Sequence, residues 1–404
     1  MKILQINKFY YLRGGAERYQ FDLSAALKRL GHTVIDFSMQ DNRNWPSRYS
    51  KYFIDEVSFA GDSKLSALKF IYNWQAVRNL RKLIKTEKPE VAHLHNIAHQ
   101  LTPAIIKVLK EANIPVVQTL HDYKLVCPNY RLFTHGAQCE RCLGGKYYNC
   151  AKTKCMHNSR AKSLLTTIEA YWNTRVKRYY DLVDLFIAPS KFMSEVVARG
   201  GIKPERVKLI YNFTDLPENK SMQAGKYLLY FGRLSDEKGI ESLVRAMAKL
   251  PQESLKIVGL GPLHQKLKNL IEEQGLTDRV ELLGAKQGND LIKVIDEAKA
   301  VVFPSVWPEN MPISLIEAMR RGRCVVVSRV GGMPELVEEG VSGLQFVAGD
   351  EIDLVKKLES LAKLDLAQIG LEAKRRVADL TSKKHVYEII NVYDQLISAN
   401  IKQK

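Results

Sequence analysis

Long apolar runs are missing from this 404-residue sequence. No stretch approaches the roughly 18 consecutive apolar residues that span a bilayer, so no membrane-crossing helix is expected. Asp-x-Asp occurs nowhere, so nothing suggests a carboxylate pair holding a metal ion on a diphosphate. There is no internal repeat and no low-complexity segment, which argues against collagen-like and disordered classes. The opening MKILQINKFYYLRGG is only briefly apolar and is interrupted by Lys8 and Arg13; it reads as a first β-strand, not a secretory signal. A cytoplasmic protein is expected on that basis. Its six cysteines are then expected as thiols or metal ligands before disulfides.

What is present is the composition of a soluble globular chain, with 46% hydrophobic and 26% charged residues. At roughly 150 residues per domain the length makes two or three domains. The net charge of +17 is one-sided. Residues 1–200 hold 31 Lys and Arg against 16 Asp and Glu, and the remainder is nearly balanced. An acidic partner should therefore meet the first half. Nucleic acid, an anionic membrane surface and a phosphorylated acceptor all satisfy that charge.

Short β-rich runs alternate with helical patterns. Strands are expected at 2–7, 32–38, 91–96, 114–120, 185–190 and 207–211, with helices at Ala16–Leu30, Lys64–Thr86, Pro103–Ala112 and Ala161–Asp181. A second series runs through 227–234, 255–259, 280–284, 300–304 and 324–328. Strands apolar on both faces and separated by helices imply parallel sheets covered on two sides. The expected architecture is therefore α/β, two Rossmann-like doubly wound domains facing across a cleft. The first would cover 1–213, a polar linker 214–226, and the second 227–382, with a last helix at 383–404 packing back on the first.

In open parallel sheets ligands sit beyond the carboxyl ends of the strands. Gly232, Gly259 and Gly284 lie at three such ends, where glycine lets backbone approach a ligand closely. Arg233 and Lys238, in GRLSDEKG, put a guanidinium and an ammonium where a strand gives way to a helix, suited to clamping a diphosphate. In WPENMPISLIEAMRRG, Glu309 precedes a helix and Glu317 lies eight positions on, inside it. A carboxylate accepts two hydroxyl hydrogen bonds, so the pair can hold two sugars of one nucleotide-sugar. The amides of Asn310, Met311, Pro312-Ile313 open that helix and would face its phosphates, apart from proline's.

The ordered set GRLSDEKG, IVGLGP, VELLG, PENMPISLIEAM and SRVGGMPELVEEGVSGLQF resembles the C-terminal half of retaining glycosyltransferases of family 4. That resemblance implies the GT-B architecture. It also implies that Arg233 and Lys238 bind the donor diphosphate, that Glu309 contacts the donor sugar and that Glu317 contacts the nucleotide ribose. Where many members carry Gly-Phe-Gly after the first glutamate, this chain carries Asn310-Met311-Pro312.

In the first half, Gly14 and Gly15 follow the first strand and resemble the family's glycine loop, Gly15 toward the donor and Gly14 toward the acceptor. His121, beside Asp122, ends the strand IPVVQTL; in the family a histidine here lies beside the donor sugar. His93, His95 and His99 read as loop and core residues. Asn212 ends another strand and resembles the family's Tyr-Asn turn on the acceptor side. The implied reaction moves a hexosyl unit from a nucleotide-diphosphate sugar to a hydroxyl, keeping the anomeric configuration, with no cofactor or metal required for catalysis.

Five cysteines crowd residues 127–155. Cys127, Cys139, Cys142 and Cys155, with Cys139-Glu-Arg-Cys142 as a knuckle, are the candidate ligands of a structural zinc in an insert spanning 127–157; free thiols are the alternative. In residues 159–186, Leu164, Leu165, Ile168, Tyr171, Trp172, Val176 and Tyr179 recur at helical spacing beside Arg160, Lys162, Arg175, Lys177 and Arg178. That pattern suits either an anionic bilayer surface or a core helix with a wet basic face. The bilayer reading makes the acceptor a lipid-linked saccharide at the inner face of the membrane. A nucleotide-sugar 2-epimerase of the same architecture is the alternative enzyme. A nucleic-acid-binding module is the alternative non-enzyme, although no nucleic-acid motif is present.

Overall fold

The computed structural model describes residues 1–57, 64–219 and 225–402, without the side chains of 64–67. The chain divides into two compact units. The first comprises Met1–His135, Cys139–Tyr211 and Ser382–Lys404, and the second Gly136–Gln138 and Asn212–Thr381.

In the first unit β1 (Lys2–Ile6) is followed by α1 (Gly15–Arg29), β2 (Thr33–Phe37), α2 (Lys64–Ile71), α3 (Trp74–Glu87), β3 (Val91–Leu94), α4 (Ala104–Glu111) and β4 (Val116–Thr119). After the cysteine-rich insert, which contains α5 (Tyr148–Thr153), come α6 (Arg160–Tyr171), β5 (Leu185–Ala188), α7 (Lys191–Arg199) and β6 (Val207–Leu209). The sheet is parallel throughout, in the order β2-β1-β3-β4-β5-β6. Ile3, Leu4 and Ile6 of β1 are fully buried, because helices cover both faces.

The second unit holds β7 (Tyr227–Phe231), α8 (Ile240–Ala248), β8 (Leu255–Val258), α9 (His264–Glu273), β9 (Val280–Gly284), α10 (Gly288–Asp296), β10 (Ala298–Phe303), α11 (Ile313–Arg320), β11 (Cys324–Ser328), β12 (Leu344–Phe346), α12 (Glu351–Ser360) and α13 (Leu366–Arg376). Its six strands are ordered β9-β8-β7-β10-β11-β12, the nucleotide-binding order that reverses direction beside its first strand. Leu228, Leu243, Val302 and Val326 sit in its fully buried core; truncating such a leucine to alanine costs about 2–5 kcal/mol. The last helix, α14 (Ser382–Lys402), belongs to the first unit and packs on α1.

Three local readings are corrected. The helix expected over Lys64–Thr86 is two helices, because Asn73 leaves helical geometry and caps α3, its side chain accepting from the Ala76 amide at 3.0 Å. The helix expected to Asp181 ends at Tyr171; it widens into a π-type turn over Trp172–Val176, and Arg178 then adopts a left-handed backbone. The expected linker is bound to the second unit as far as it is described. Thr214 donates to the Leu380 carbonyl at 3.1 Å, Arg320 to the Leu216 carbonyl at 2.7 Å, and Lys374 pairs with Glu218 at 2.8 Å. Residues 220–224 lie outside the described residues. Strand β12 was not among the expected ones; three residues are too few to display a period.

Candidate functional site

Where strand order reverses, the loops leaving two neighbouring strands run to opposite sides and leave a crevice. In the second unit that point lies between β7 and β10. Beyond β7 come Gly232, Arg233 and Lys238; beyond β10 come Ser305, Trp307 and Glu309. The Lys238 ammonium forms an ion pair with the Glu309 carboxylate. Ser305 donates its hydroxyl to the same carboxylate oxygen at 2.6 Å, and Ser328 fixes Ser305 by donating to its carbonyl at 2.5 Å. Lys238 also lies 5.6 Å from the centre of the Trp307 ring. The Glu309 side chain is only 8% exposed and the Lys238 side chain 22%, so this is a partly dehydrated pair.

The backbone holds the loop as firmly. Gly332 donates to the Glu309 carbonyl at 2.7 Å. Gly331 has φ +66°, and a Cβ there would lie 2.1 Å from the Glu309 carbonyl oxygen, so only glycine fits. The strand-end glycines interlock. Gly232 donates to the Val258 carbonyl at 3.0 Å and Gly259 to that of Gly284 at 2.8 Å. A Cβ on Gly259 would meet the Gly232 oxygen at 1.9 Å. Tyr230 donates to the Arg233 carbonyl at 2.8 Å. Burial pushes the Tyr230 phenol well above its ordinary range, and the nearby Glu309 charge adds to that, which places the Arg233 turn beside the pair. The Arg233 side chain is exposed and makes no hydrogen bond or ion pair among the described residues. Glu317 is buried within α11, and Asn310 and Met311 are buried just before it. Pro312 keeps an extended ψ of 124° as the cap that starts α11.

Asn212 departs from its expected place. It belongs to the second unit and donates its amide to the Met311 carbonyl at 2.7 Å, bracing the Glu309 loop.

In the first unit, Gly14 caps α1 with an extended backbone and no side-chain bond, and Arg18 donates to its carbonyl at 3.0 Å. Glu17, in the first turn of α1, is buried, which raises its carboxyl above the usual range. A small cavity opens beyond β3 and β4, lined by Lys8, His95, His121, Asp122 and Lys124. Burial lowers the Lys8 ammonium, which donates to the Ala98 carbonyl at 2.8 Å, and burial raises Asp122. Lys124 pairs with the deeply buried Glu169 of α6 at 2.6 Å. His95 Nδ1 lies 2.9 Å from His121 Nε2. Burial pushes His93 and His121 down to about 3, His121 lying near enough to His93 to add to its shift, and it places His95 well below its ordinary value. All three rings are therefore neutral at pH 7.

His95, Lys8 and Glu17 were not among the expected site residues. His95 reads from sequence as one of two histidines in the strand run VAHLHN; only the pairing of β3 between β1 and β4 carries its ring to the cavity.

The proposed zinc ligands do not assemble: among the described residues, no three His, Cys, Asp or Glu side chains are placed to hold a metal ion. Cys127 instead donates to the Asn129 side chain at 3.0 Å. Cys142 and Cys150 pack with Tyr147 and Ala170 as small apolar residues, Cys155 and Tyr171 against them. Cys155 donates its S–H to the Cys150 sulfur at 2.9 Å.

Comparison with known proteins gives this geometry its context. The model of glycosyltransferase family 4 matches residues 13–218, half of the chain, and that of the glycosyl transferases group 1 matches residues 213–384. An uncharacterised glycosyltransferase of Methanocaldococcus jannaschii is 29% identical over 372 residues, covering 85% of this chain and 84% of that protein. The amylovoran biosynthesis glycosyltransferase AmsK of Erwinia amylovora is 31% identical over 192 residues, 45% of this chain and 46% of that one. The Anabaena protein HepE in complex with UDP-glucose superposes with a TM-score of 0.66 at 20% identity, covering all of both chains. With both halves matched and two six-stranded parallel Rossmann-like units in place, the chain belongs to the family 4, group 1 glycosyltransferases of GT-B fold.

Proposed function

We propose that the chain moves a hexosyl unit from a nucleotide-diphosphate sugar to a hydroxyl of a lipid-linked or other saccharide, in assembly of a surface polysaccharide or glycolipid. The anomeric configuration is retained, and protein cations stand where other transferases use a metal. The observation that carries this reading is the Lys238–Glu309 pair at the strand-order reversal of the second unit. AmsK acts, by its name, in the synthesis of a polysaccharide, and HepE holds UDP-glucose; both support a sugar donor of this class.

As the glycosyl–phosphate bond breaks, the diphosphate gains negative charge and the sugar gains oxocarbenium character. Lys238, the exposed Arg233 and the amides that open α11 are the groups to meet the first. Glu309 is the group to accept sugar hydroxyls. Without donor, Lys238 and Glu309 satisfy one another; with donor, phosphate replaces the carboxylate on Lys238 and hydroxyls replace the ammonium on Glu309. Glu317 would hold the ribose. In the front-face route the departing phosphate oxygen takes the acceptor proton, so no side chain is needed as general base.

Helix α6 supports a membrane-surface acceptor. Its inward face is polar, with Ser163, Thr166, Thr167 and Glu169 buried, while Leu164 is 53% and Ile168 48% exposed. Val176 continues the outward stripe, beside Arg175 and Lys177. An amphipathic helix turned apolar side out beside basic residues suits the inner, anionic leaflet of a membrane, with the protein otherwise cytoplasmic. No helix among the described residues is long and apolar enough to cross a membrane.

The test is a thermal-shift series with UDP, UDP-glucose and other nucleotide-diphosphate sugars. A bound donor at a hundredfold excess over its dissociation constant adds about 2.7 kcal/mol of stability. If no nucleotide-diphosphate sugar shifts the melting temperature, the reading is wrong.

A further inference from the structure

Helices α3 and α4 both start from the carboxyl edge of the first sheet and run back along it. Their starts are tied together: Asn73 donates its backbone N–H to the Thr102 hydroxyl at 3.3 Å and its side-chain amide to the Gln100 carbonyl at 2.8 Å. Between the two helices and the turns that follow α6 lies a cavity of about 400 Å³, a size suited to small ligands. Tyr72, Trp74, Trp172 and Tyr179 give it an aromatic wall. Trp74 is 59% exposed, and its ring meets that of Tyr72 edge-on at 5.1 Å. Two helical turns further on, Glu111 lies 2.9 Å from Arg81 and 3.8 Å from Lys107, and these three side chains line the same cavity. The groove also adjoins the site described above. Tyr179 lines it, and the next residue, Tyr180, lines the cavity that holds Lys8 and His121.

This wall selects among ligands. The face of an aromatic ring is electron-rich and attracts the C–H face of a pyranose. Arg81, Glu111 and Lys107 set donors and an acceptor side by side, which is what neighbouring sugar hydroxyls pair with. A lipid tail gains nothing from a charged wall, and a phosphate would meet the Glu111 carboxylate. We propose that the groove between α3 and α4 is a second saccharide-binding site, holding sugars of the acceptor chain away from the one that is glycosylated. The proposal rests on the reading of the protein as a transferase acting on saccharides. It adds that the acceptor is an oligosaccharide gripped away from its reacting end, not a single sugar or a bare lipid.

Saturation-transfer NMR of the full chain, free of nucleotide, tests binding with maltohexaose, cellohexaose, chitohexaose and hexagalacturonate as probes. At least one should bind, and Trp74→Ala should weaken it about tenfold, the scale of one aromatic contact. Glu111→Gln, at an exposed ion pair that adds little to folding, should weaken it about fivefold and serves should Trp74→Ala not fold. Tyr387→Ala removes a comparably exposed ring from α14 and should change nothing. Binding of none of the four, or binding unchanged in both groove variants, overturns the proposal. If no sugar binds and Trp74→Ala sediments less with anionic vesicles, the groove is a membrane contact and the proposal fails. In a transfer assay with an oligosaccharide acceptor, Trp74→Ala should raise the acceptor KM about tenfold and leave kcat unchanged; an equal KM would also overturn the role. Because the sugar titration needs no donor, the two readings fail separately. Sugar binding in the groove without any melting shift from nucleotide-diphosphate sugars refutes transfer and keeps the saccharide site; the converse keeps transfer and refutes the groove.

Discussion

Lys238 and Glu309 are 71 residues apart in sequence and meet as an ion pair across the two loops that diverge in the second unit. Their partners differ in kind. Glu309 also holds the Ser305 hydroxyl, and Lys238 lies beside the Trp307 ring. Glu309→Gln should keep the shape and remove the charge. We expect kcat/KM to fall by about 10²–10³, the scale of a lost electrostatic group in an active site. Steady-state assay with a nucleotide-sugar identified by thermal shift measures it, and unchanged turnover would remove Glu309 from the reaction.

Gly331→Ala tests the same loop from beneath. The new methyl would collide with the Glu309 carbonyl and strain a left-handed backbone. A loss of about 1–3 kcal/mol in denaturant unfolding is expected, together with loss of transfer. Gly275→Ala is the control: it has similar φ, +62°, but open space around it. It should lose stability and keep transfer.

Glu317→Ala should separate binding from chemistry. The carboxylate is assigned to the ribose, so the melting shift produced by UDP should shrink while the protein without ligand still folds. A full UDP shift in this variant would mean that the ribose is held elsewhere.

Stability should fall on acidification from pH 7 to 5. His93, His121 and His385 have folded pKa values of about 3, 3 and 4 because burial penalises their charged forms. Their unfolded value is about 6.5. The unfolded chain therefore binds more protons in this window, and the stability these rings contribute is whole above pH 6.5 and is lost progressively as pH falls from there to the folded values. The raised carboxyls of Glu17 and Asp122 act in the opposite sense and offset part of the loss. Melting curves at pH 7, 6 and 5 measure the balance; a melting temperature that does not fall would contradict the buried neutral ladder.

Leu164→Gln combined with Ile168→Gln should leave folding stability within about 0.5 kcal/mol per site, since both side chains face outward. Sedimentation with anionic vesicles at low salt should decline strongly. Undiminished sedimentation would place the lipid contact elsewhere.

Much of this was legible from residue order. Two alternating series gave two parallel sheets, because strands covered on both faces lose their polar alternation and read as continuous apolar runs. That Lys238 and Glu309 lie just past strand ends was legible because glycine and proline mark such ends. Other features were not. Gln5 in β1 and His95 just past β3 occupy positions that look like core, and only lateral pairing of β1, β3 and β4 makes them neighbours. Spacing alone cannot reveal that Cys127 turns to Asn129 while Cys142 and Cys150 fill an apolar pocket. Helix α6 has the residues expected of an amphipathic helix, yet periodicity alone cannot say which face turns inward.

The return of α14 bears on how the protein is made. Tyr393 meets His93 at 2.6 Å and His385 meets Tyr19 at 2.8 Å, so the first unit finishes its interior with the chain's final helix. A ribosome working from the amino end releases the whole of residues 212–381 before that helix emerges. The half that begins first then closes only after residues 212–381 have been made, with its histidine ladder open to water until α14 arrives.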